Sequence, residues 1–201
     1  MNILAHGYLS GRSDALLVGN FIGDFIKGDP THPRHNLSPT DIAGVRLHRA
    51  IDAFTDAHAD VAAVRELMRP RCHKYAGVAV DVFFDHFLAV NFSELTGESL
   101  VDFTAYFYAT LQQNAHRLPA PAGRMLDAMR LYDWLTHYQT LDGIDRSLRG
   151  IARRTAYVSG LDTAIVDLER FYADIDERFR QFWPQLTAHV GQTLASLPNV
   201  G

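Results

Sequence analysis

The segment from Val78 to Val90 constrains the fold most strongly, because it is almost entirely apolar and yet contains two carboxylates and a histidine. Asp81 and Asp85 stand four residues apart, so on a helix both lie on one face. Burying an unpaired carboxylate is costly, and such groups need a cation, a metal ion or dense hydrogen bonding. With His86 beside the second carboxylate, the segment predicts a buried helix that carries a metal site. The alternative is a buried salt bridge or cap network, with arginines such as Arg46 or Arg49 as partners.

Helix signals also dominate the rest of the chain, and no long stretch alternates apolar and polar residues as a half-buried strand does. We predict helices over residues 15–26, 39–55, 57–68, 73–92, 99–116, 119–138, 143–154 and 162–194. Ser38 is the expected N-cap of the second helix, Pro70 is expected to stop the third, and Pro184 to bend or divide the last. Eight helices with short connections, without a repeat or a linker, predict one compact all-α domain over residues 1–201.

The composition fits a soluble globular protein and excludes several other classes. The 201 residues are 47% hydrophobic and 21% charged, enough to build a core without disulfides. The formal charge of −4 argues against a general nucleic-acid binder. Since Cys72 is the single cysteine and no secretory signal or membrane-spanning run is recognisable, we predict a cytoplasmic protein without membrane insertion. Cys72 follows Arg71 on a predicted loop and is not expected to act as a nucleophile.

Histidine is enriched, and one histidine begins a column of polar side chains. The chain has 10 histidines, about twice the usual share for a side chain that ligates metals and moves protons near neutral pH. His48, Asp52 and Asp56 stand at i, i+4 and i+8, so they line one helix face, an arrangement typical of a metal or phosphate site. A solvent-facing helix with weak His–Asp pairs is the alternative.

Two more polar positions lie in apolar surroundings near the start of the chain. Asn20 and Asp24 are four residues apart, and the adjacent Gly19 and Gly23 allow a neighbouring backbone or a ligand to approach closely. His6 joins them as a candidate, although a lone histidine near a terminus is more often structural. Carboxylates together with imidazoles suit Mn²⁺, Fe²⁺ or Zn²⁺, and the excess of carboxylates favours Mn²⁺. Such an ion polarises phosphoryl oxygens and activates water, so hydrolysis of a phosphate ester is the predicted reaction class.

The chain resembles the acyl carrier protein phosphodiesterases, also called acyl carrier protein hydrolases. The resemblance spans nearly the whole chain and is specific, because four polar motifs occur in order. It implies a distorted HD-domain-like fold and a Mn²⁺-dependent hydrolysis. The enzyme would cut the phosphodiester between the carrier protein's serine and 4′-phosphopantetheine, turning holo carrier into apo carrier. The motifs are MNILAH at 1–6, GNFIGDF at 19–25, HRAID with TD at 48–56, DVFFDHFL at 81–88, then Tyr132, Trp134, Leu135, Tyr138 and GIARR at 150–154.

The resemblance also implies which residues form the site. The metal-binding and catalytic groups would be Asp24, His48, Asp52, Asp85 and His86, with His6, Asn20, Asp56 and Asp81 close to them. The His-Asp doublet of ordinary HD hydrolases is reversed here as Asp85-His86. Whether one ion or two bind stays open.

Acyl carrier proteins are small and strongly acidic, so a hydrolase that acts on them is expected to present a basic surface near its active site. Residues 146–154 hold four arginines on one helix face and no acid, and we expect this cluster to dock the carrier. The predicted substrate-binding or partner-binding residues are Asn20, Arg49, Arg146, Arg149, Arg153 and Arg154. A second basic cluster is equally well explained as a solvated surface; it comprises Arg65, Arg69, Arg71 and Lys74.

Six aromatic residues are candidates to line a channel for the pantetheine arm, although helical spacing also suits a place in the core. They are Tyr106, Phe107, Tyr108, Tyr132, Trp134 and Tyr138. Two other functions stay open at this point. One is an HD-type phosphohydrolase of a nucleotide or another small phosphate ester, and the other is a non-catalytic helical protein that binds an acidic partner.

Overall fold

The fold of the chain is helical throughout. The computed structural model describes residues 2–197, so residue 1 and residues 198–201 of the predicted domain lie outside the described part. Within that part there are twelve α-helices and no strand, which confirms the predicted all-α class. The helices are α1 (Ile3–Leu9), α2 (Asp14–Phe21), α3 (Pro39–Ala57), α4 (Ala59–Cys72), α5 (Ala76–Val90), α6 (Phe92–Thr96), α7 (Leu100–Gln113), α8 (Ala120–Leu131), α9 (Trp134–His137), α10 (Leu141–Ala152), α11 (Ile165–Arg170) and α12 (Tyr172–Ser196).

Helix α5 forms the centre of the core, as its apolar sequence predicts. It packs against α1, α4, α10 and α12. Phe83, Phe84 and Phe87 are almost completely buried, and rings from α12 pack against Phe84 and Phe87. Because α5 is surrounded on several sides, its polar residues face different neighbouring helices.

Helices α2 and α3 approach each other more closely than ordinary side chains allow. A Cβ atom on Gly19 would lie 2.3 Å from the carbonyl oxygen of Asp41, and one on Gly44 would lie 2.6 Å from the Cα atom of Gly19. Glycine is therefore needed at both positions. The close packing places Asn20 of α2 beside His48 of α3.

The start of α3 has the capping arrangement that its sequence predicts. The hydroxyl oxygen of Ser38 accepts a hydrogen bond from the backbone N–H of Asp41, at 3.1 Å, and the Asp41 carboxylate accepts one from the backbone N–H of Ser38, at 3.1 Å. This reciprocal capping box satisfies two N–H groups that the first helical turn leaves unpaired. Arg117 also pairs with the Asp41 carboxylate and ties α3 to the segment after α7.

Several predicted helix ends are wrong. Pro70 lies inside α4, which continues to Cys72; a proline this close to the end of a helix removes only one intrahelical hydrogen bond. The next helix starts at Ala76, after a positive φ of 48° at His73 and a single 3₁₀ turn. The predicted helix over residues 119–138 divides at Asp133, whose φ is also positive, at 44°. Helix α1 is not among the predicted helices.

The C-terminal segment divides at Phe171 and not at Pro184. Pro184 lies inside α12, where its neighbours Phe182, Trp183 and Leu186 are buried in the core. Their packing stabilises the helix at the turn where the proline removes a backbone hydrogen bond. None of the described helices combines the length and apolar composition that a membrane span requires.

Candidate metal centre

A cleft of about 270 Å³ lies between α1, α2, α3 and α5, and its inner wall holds a compact group of potential metal ligands. His6 of α1, His48 of α3 and Asp52 of α3 each offer one ligand atom, and these atoms lie within 4.8 Å of one another. Both histidines are buried, whereas the Asp52 side chain is 41% exposed. The two histidines are therefore enclosed by the surrounding protein, whereas Asp52 faces the open cleft.

Asn20 fixes the orientation of both imidazole rings. Its amide nitrogen donates to the carbonyl oxygen of His6 and to the hydroxyl oxygen of Ser10, each at 2.9 Å, which defines its Oδ1 as the free acceptor. That oxygen lies 2.8 Å from Nδ1 of His6 and 3.1 Å from Nδ1 of His48. Since a carbonyl oxygen only accepts hydrogen bonds, both Nδ1 atoms carry a proton and donate it to Asn20.

This hydrogen bonding directs the two Nε2 atoms toward the Asp52 carboxylate. Nε2 of His6 lies 3.1 Å from Oδ1 of Asp52, and Nε2 of His48 lies 3.1 Å from Oδ2. In the neutral imidazoles each Nε2 presents a lone pair to a carboxylate oxygen, which is repulsive unless a proton or a cation lies between them. The geometry thus favours a metal ion at this point, and the imidazole and carboxylate donors suit a first-row divalent metal.

Asp24 adds a further oxygen from the opposite side. It lies in a 3₁₀ turn after α2, and its Oδ1 is 3.4 Å from Nε2 of His48. The side chain is 81% exposed, so it can move to meet a bound group. Gly23 makes this approach possible, because a Cβ atom there would lie 2.3 Å from the His48 ring.

The protonation of the group follows from these contacts. Burial lowers the pKa of His48, but the hydrogen bonds that His48 donates to Asp24 and Asp52 outweigh burial and raise the pKa to about 9. The hydrogen bond from His48 lowers the pKa of Asp24, and His48 and His6 hold the pKa of Asp52 far below its usual range against the effect of burial. Burial lowers the pKa of His6. In the metal-free protein, one proton at His48 takes the place of a cation.

Asp81 and Asp56 line the same cleft but are not members of the compact group. Asp81 projects from α5, and burial raises the pKa of its carboxyl group. Asp56 is 76% exposed at the cleft rim, where its Oδ1 accepts a hydrogen bond from Arg65 at 2.9 Å. Both lie near enough to the cleft to contact a substrate or water.

Asp85 lies elsewhere, at the N-terminus of α1. Its carboxylate accepts hydrogen bonds from the backbone N–H groups of Leu4 at 2.8 Å, and of Asn2 and Ala5 at 3.3 Å each. No side chain within α1 caps these groups, so Asp85 does so from α5. Burial raises its pKa to about 7, while the three N–H groups act in the opposite direction. The structure therefore does not bring Asp85 to the ligand group, although it fixes the helix that carries His6.

His86 also lies away from the ligand group. Its Nδ1 donates to the carbonyl oxygen of Tyr138 at 2.7 Å, and its Nε2 is 3.0 Å from the hydroxyl of Tyr172, which donates to it. Burial lowers its pKa. Both ring nitrogens thus have protein partners in the neutral imidazole, which ties α5 to α9 and α12.

A groove of about 1000 Å³ continues from the cleft along α8, α9 and α10. The two cavities share Asn2, Ile3, Asp24 and Met125 as lining residues, so they are continuous. Tyr132, Trp134 and Tyr138 line the groove, as do all four arginines of the cluster at 146–154. Of the other aromatic candidates, Phe107 lines the cleft, whereas Tyr106 and Tyr108 line neither cavity.

The remaining basic residues make contacts within the protein. Arg49 donates to the carbonyl oxygens of Ile26 at 2.9 Å and Gly28 at 2.7 Å, so it anchors the loop after α2. In the second cluster, three arginines pair with carboxylates, as a solvated surface predicts. These pairs are Arg65–Asp56, Arg69–Glu66 and Arg71–Asp167. Cys72 is buried in the core, and burial raises the pKa of its thiol to about 11, which agrees with the absence of a nucleophilic role.

Two further residues belong to the site although no sequence pattern indicates them. Ser10, which is 1% exposed, accepts from Asn20 and donates to the His6 carbonyl oxygen at 2.9 Å. Met125 of α8 lines both cavities. Neither position has a periodic or motif signal, because both acquire their role only when separate helices meet.

Comparison with known proteins finds relatives of a single family. The family model described as acyl carrier protein phosphodiesterase matches residues 1–186. An acyl carrier protein phosphodiesterase of Photorhabdus laumondii is 33% identical over 187 residues, which cover 92% of this chain and 93% of that protein. Those of Enterobacter sp. and Escherichia coli O157:H7 are each 32% identical, over 92% and 96% of this chain and 95% and 98% of theirs. No solved structure gives a significant match.

Proposed function

This chain belongs to the acyl carrier protein phosphodiesterase family, and on that premise we propose that its cleft hydrolyses holo acyl carrier protein. Water attacks the phosphorus atom of the phosphodiester, and the bond from phosphorus to the carrier's serine oxygen breaks. The serine oxygen takes up a proton, which yields apo carrier, while 4′-phosphopantetheine leaves as the phosphate monoester. The reaction removes the prosthetic group of a carrier protein of fatty acid biosynthesis, and we place it in the cytoplasm. An HD-domain-like arrangement of the helices is part of the proposal.

The convergence of His6, His48 and Asp52 on one point is the observation that carries the proposal. These three residues would hold Mn²⁺, with Asp24 as a further oxygen ligand; Fe²⁺ and Zn²⁺ suit the same donors. When bound, the ion supplies Lewis acidity and a lowered water pKa at this point of the cleft.

The protein itself supplies orientation. Asn20 accepts both Nδ1 protons, so the two Nε2 atoms are directed toward the cleft before any ion arrives. The outward-facing Asp24 and the cleft-lining Asp81 and Asp56 place further carboxylates around a bound phosphodiester. The two imidazoles held by Asn20 favour the reacting geometry because they need no rearrangement when charge develops.

The groove along α8–α10 suits the pantetheine arm. It starts at the shared wall of the metal cleft and is long and largely apolar, with Tyr132, Trp134 and Leu131 along it. Amide and methyl groups of the arm match such a lining of aromatic and aliphatic side chains. A pantetheine arm bound in this groove would hold the phosphodiester at the end of the groove that meets the cleft, next to the metal ligands.

The arginines of α10 supply the charge that an acidic carrier requires. The exposed side chains of Arg146 and Arg153 make no hydrogen bond or ion pair within residues 2–197, and the Arg149 side chain retains 48% exposure while paired with Asp145. Opposite charges steer the encounter and fix the orientation of the two proteins. Because these side chains also line the groove, a carrier bound to them lies near the entrance for its own arm.

Mass spectrometry of the carrier tests the proposal. Holo carrier incubated with this protein and Mn²⁺ is expected to lose the mass of its 4′-phosphopantetheine group, and EDTA is expected to prevent the loss. An unchanged carrier, together with hydrolysis of small phosphate esters, would instead indicate a small-molecule phosphohydrolase.

A further inference from the structure

The loop between α10 and α11 presents two adjacent apolar side chains to solvent. Val158 is 95% exposed and Tyr157 is 68% exposed. Single exposed apolar residues are common, but an adjacent pair beside a charged, concave surface is typical of a binding site for another protein. Neither residue belongs to a motif, so only their exposure draws attention to them.

This loop is held in place on both sides of the exposed pair. Before it, the Thr155 hydroxyl lies 2.8 Å from the carbonyl oxygens of Ala152 and of Tyr157, which ties the loop to the end of α10. After it, Ser159 is 3% exposed and Leu161 is fully buried. The exposure of Tyr157 and Val158 is thus a feature of a fixed loop, and a fixed apolar surface loses little conformational entropy when a partner binds.

The exposed pair is surrounded by cations. Nζ of Lys74 lies 3.9 Å from the centre of the Tyr157 ring, a cation–π contact. Arg149 and Arg153 line a hollow of about 360 Å³ together with Tyr157 and Val158. Two carboxylates offset part of this charge, because Asp162 also lines the hollow and Asp145 pairs with Arg149. The three cations still exceed the two carboxylates, so the net charge around the pair is positive.

We infer that Tyr157 and Val158 form the apolar centre of the surface that binds the carrier protein, with Lys74, Arg149 and Arg153 around it. The partner that fits is an acidic protein surface with an apolar side chain between its carboxylates. That side chain would enter the hollow, while the carboxylates meet the three cations. The inference rests on the proposed function, since it takes the acidic carrier as the partner, and it extends the docking surface beyond the arginines of α10.

The position of the hollow beside the groove also supports an acyl carrier protein as the partner. Arg149 and Arg153 line both the hollow and the groove for the arm, so the two cavities adjoin. A carrier seated on the hollow therefore has its prosthetic group beside the groove that leads to the metal ligands. Apolar residues at the centre of an interface with charges at its rim are the usual arrangement in specific complexes.

Binding of apo carrier, measured by calorimetry with the full-length protein, tests the inference without requiring catalysis. Val158→Ser is expected to weaken binding about tenfold, the usual loss for a central apolar contact, and Val158→Asp more than this because it adds repulsion from the acidic carrier. Since Val158 packs against almost nothing, neither variant is expected to change the melting temperature. Val166→Ser, at a 50% exposed valine of α11, is the matched control and is expected to bind as the wild type does.

The outcomes separate this inference from the proposed function. Equal binding by wild type, Val158→Ser and Val158→Asp, or no binding by the wild type, would overturn the inference. Failure of the wild type to cleave holo carrier would overturn the proposed function, yet a selective loss of apo carrier binding in the Val158 variants would still support the docking surface.

Discussion

The imidazole rings of His6 and His48 stack with their centres 4.3 Å apart and 28° between their planes. The two residues come from α1 and α3, and a single amide oxygen, that of Asn20, accepts from both. Two neutral histidines can stack in this way, whereas two protonated ones would repel each other. Once the Nε2 proton of His48 has left, the pair presents two Nε2 lone pairs side by side, as a metal site requires.

Replacing Asn20 by leucine is expected to weaken Mn²⁺ binding by about 10- to 100-fold, the usual loss when a residue that orients histidine ligands is removed. Without the amide oxygen, neither Nδ1 has its acceptor, and the Nε2 atoms are no longer directed at Asp52. Calorimetric titration with Mn²⁺ measures the change. Asn114→Leu, which removes an amide from the end of α7, is the control, and equal affinity in wild type and Asn20→Leu would refute the role given to Asn20.

Binding of Mn²⁺ is expected to release about one proton near neutral pH. The pKa of His48 is raised to about 9 in the metal-free protein, so below that pH the proton and the metal compete for Nε2. His6, with its lowered pKa, and the ionised Asp52 add little to this competition. Apparent affinity should thus rise about tenfold per pH unit from pH 7 and level off above the pKa of His48.

Titration calorimetry in two buffers of different ionisation enthalpy counts these protons directly. His48→Ala removes the competing group and is expected to lose the pH dependence along with most of the affinity. A wild-type affinity that does not change between pH 7 and 9 would contradict the shared proton of His48 and Asp52.

Gly23→Ala is expected to destabilise the protein by about 1–3 kcal/mol, as forced overpacking usually does, and to lower metal affinity. The added Cβ would lie 2.3 Å from the His48 ring, which stacks on His6 and is hydrogen-bonded to Asn20. Gly123→Ala, on α8, meets nothing within 4 Å and should be neutral or slightly stabilising. Urea unfolding of both variants distinguishes them, and similar stabilities would show that His48 can adjust.

Charge reversal on α10 should separate carrier recognition from chemistry. Arg149→Glu and Arg153→Glu are expected to slow cleavage of holo carrier while hydrolysis of a small generic phosphodiester continues, because only the carrier needs the basic surface. Arg170→Glu on α11 reverses a charge that lines neither the cleft nor the groove, and serves as the control. Steady-state kinetics on both substrates decides the question, and an equal loss on both would contradict docking at α10.

The sequence predicted that most of the candidate ligands lie together, because their spacing is local. His48 and Asp52 are one helical turn apart, so their shared face follows from the geometry of α3 alone. Asn20 and Asp24 follow from the same reasoning on α2 and the turn after it. His6 was harder to place, because its helix was not predicted and its contact with Asp52 depends on how α1 packs.

Asp85 and His86 show what spacing does not reveal. Neighbouring residues on a helix point about 100° apart, so in a central helix they face different partners. Asp85 meets the backbone N–H groups of α1, and His86 meets Tyr138 and Tyr172. A buried carboxylate that caps a distant helix and one that binds a metal look the same in sequence, because both only require burial and a partner.

Pulsed electron paramagnetic resonance of the Mn²⁺-loaded protein tests the central claim most directly, since it detects the nitrogen atoms bound to the ion. Signals from two histidines are expected, with one lost in His48→Ala, one lost in His6→Ala, and both kept in His86→Ala. Loss of a nitrogen signal in His86→Ala, with both kept in His6→Ala and His48→Ala, would contradict it.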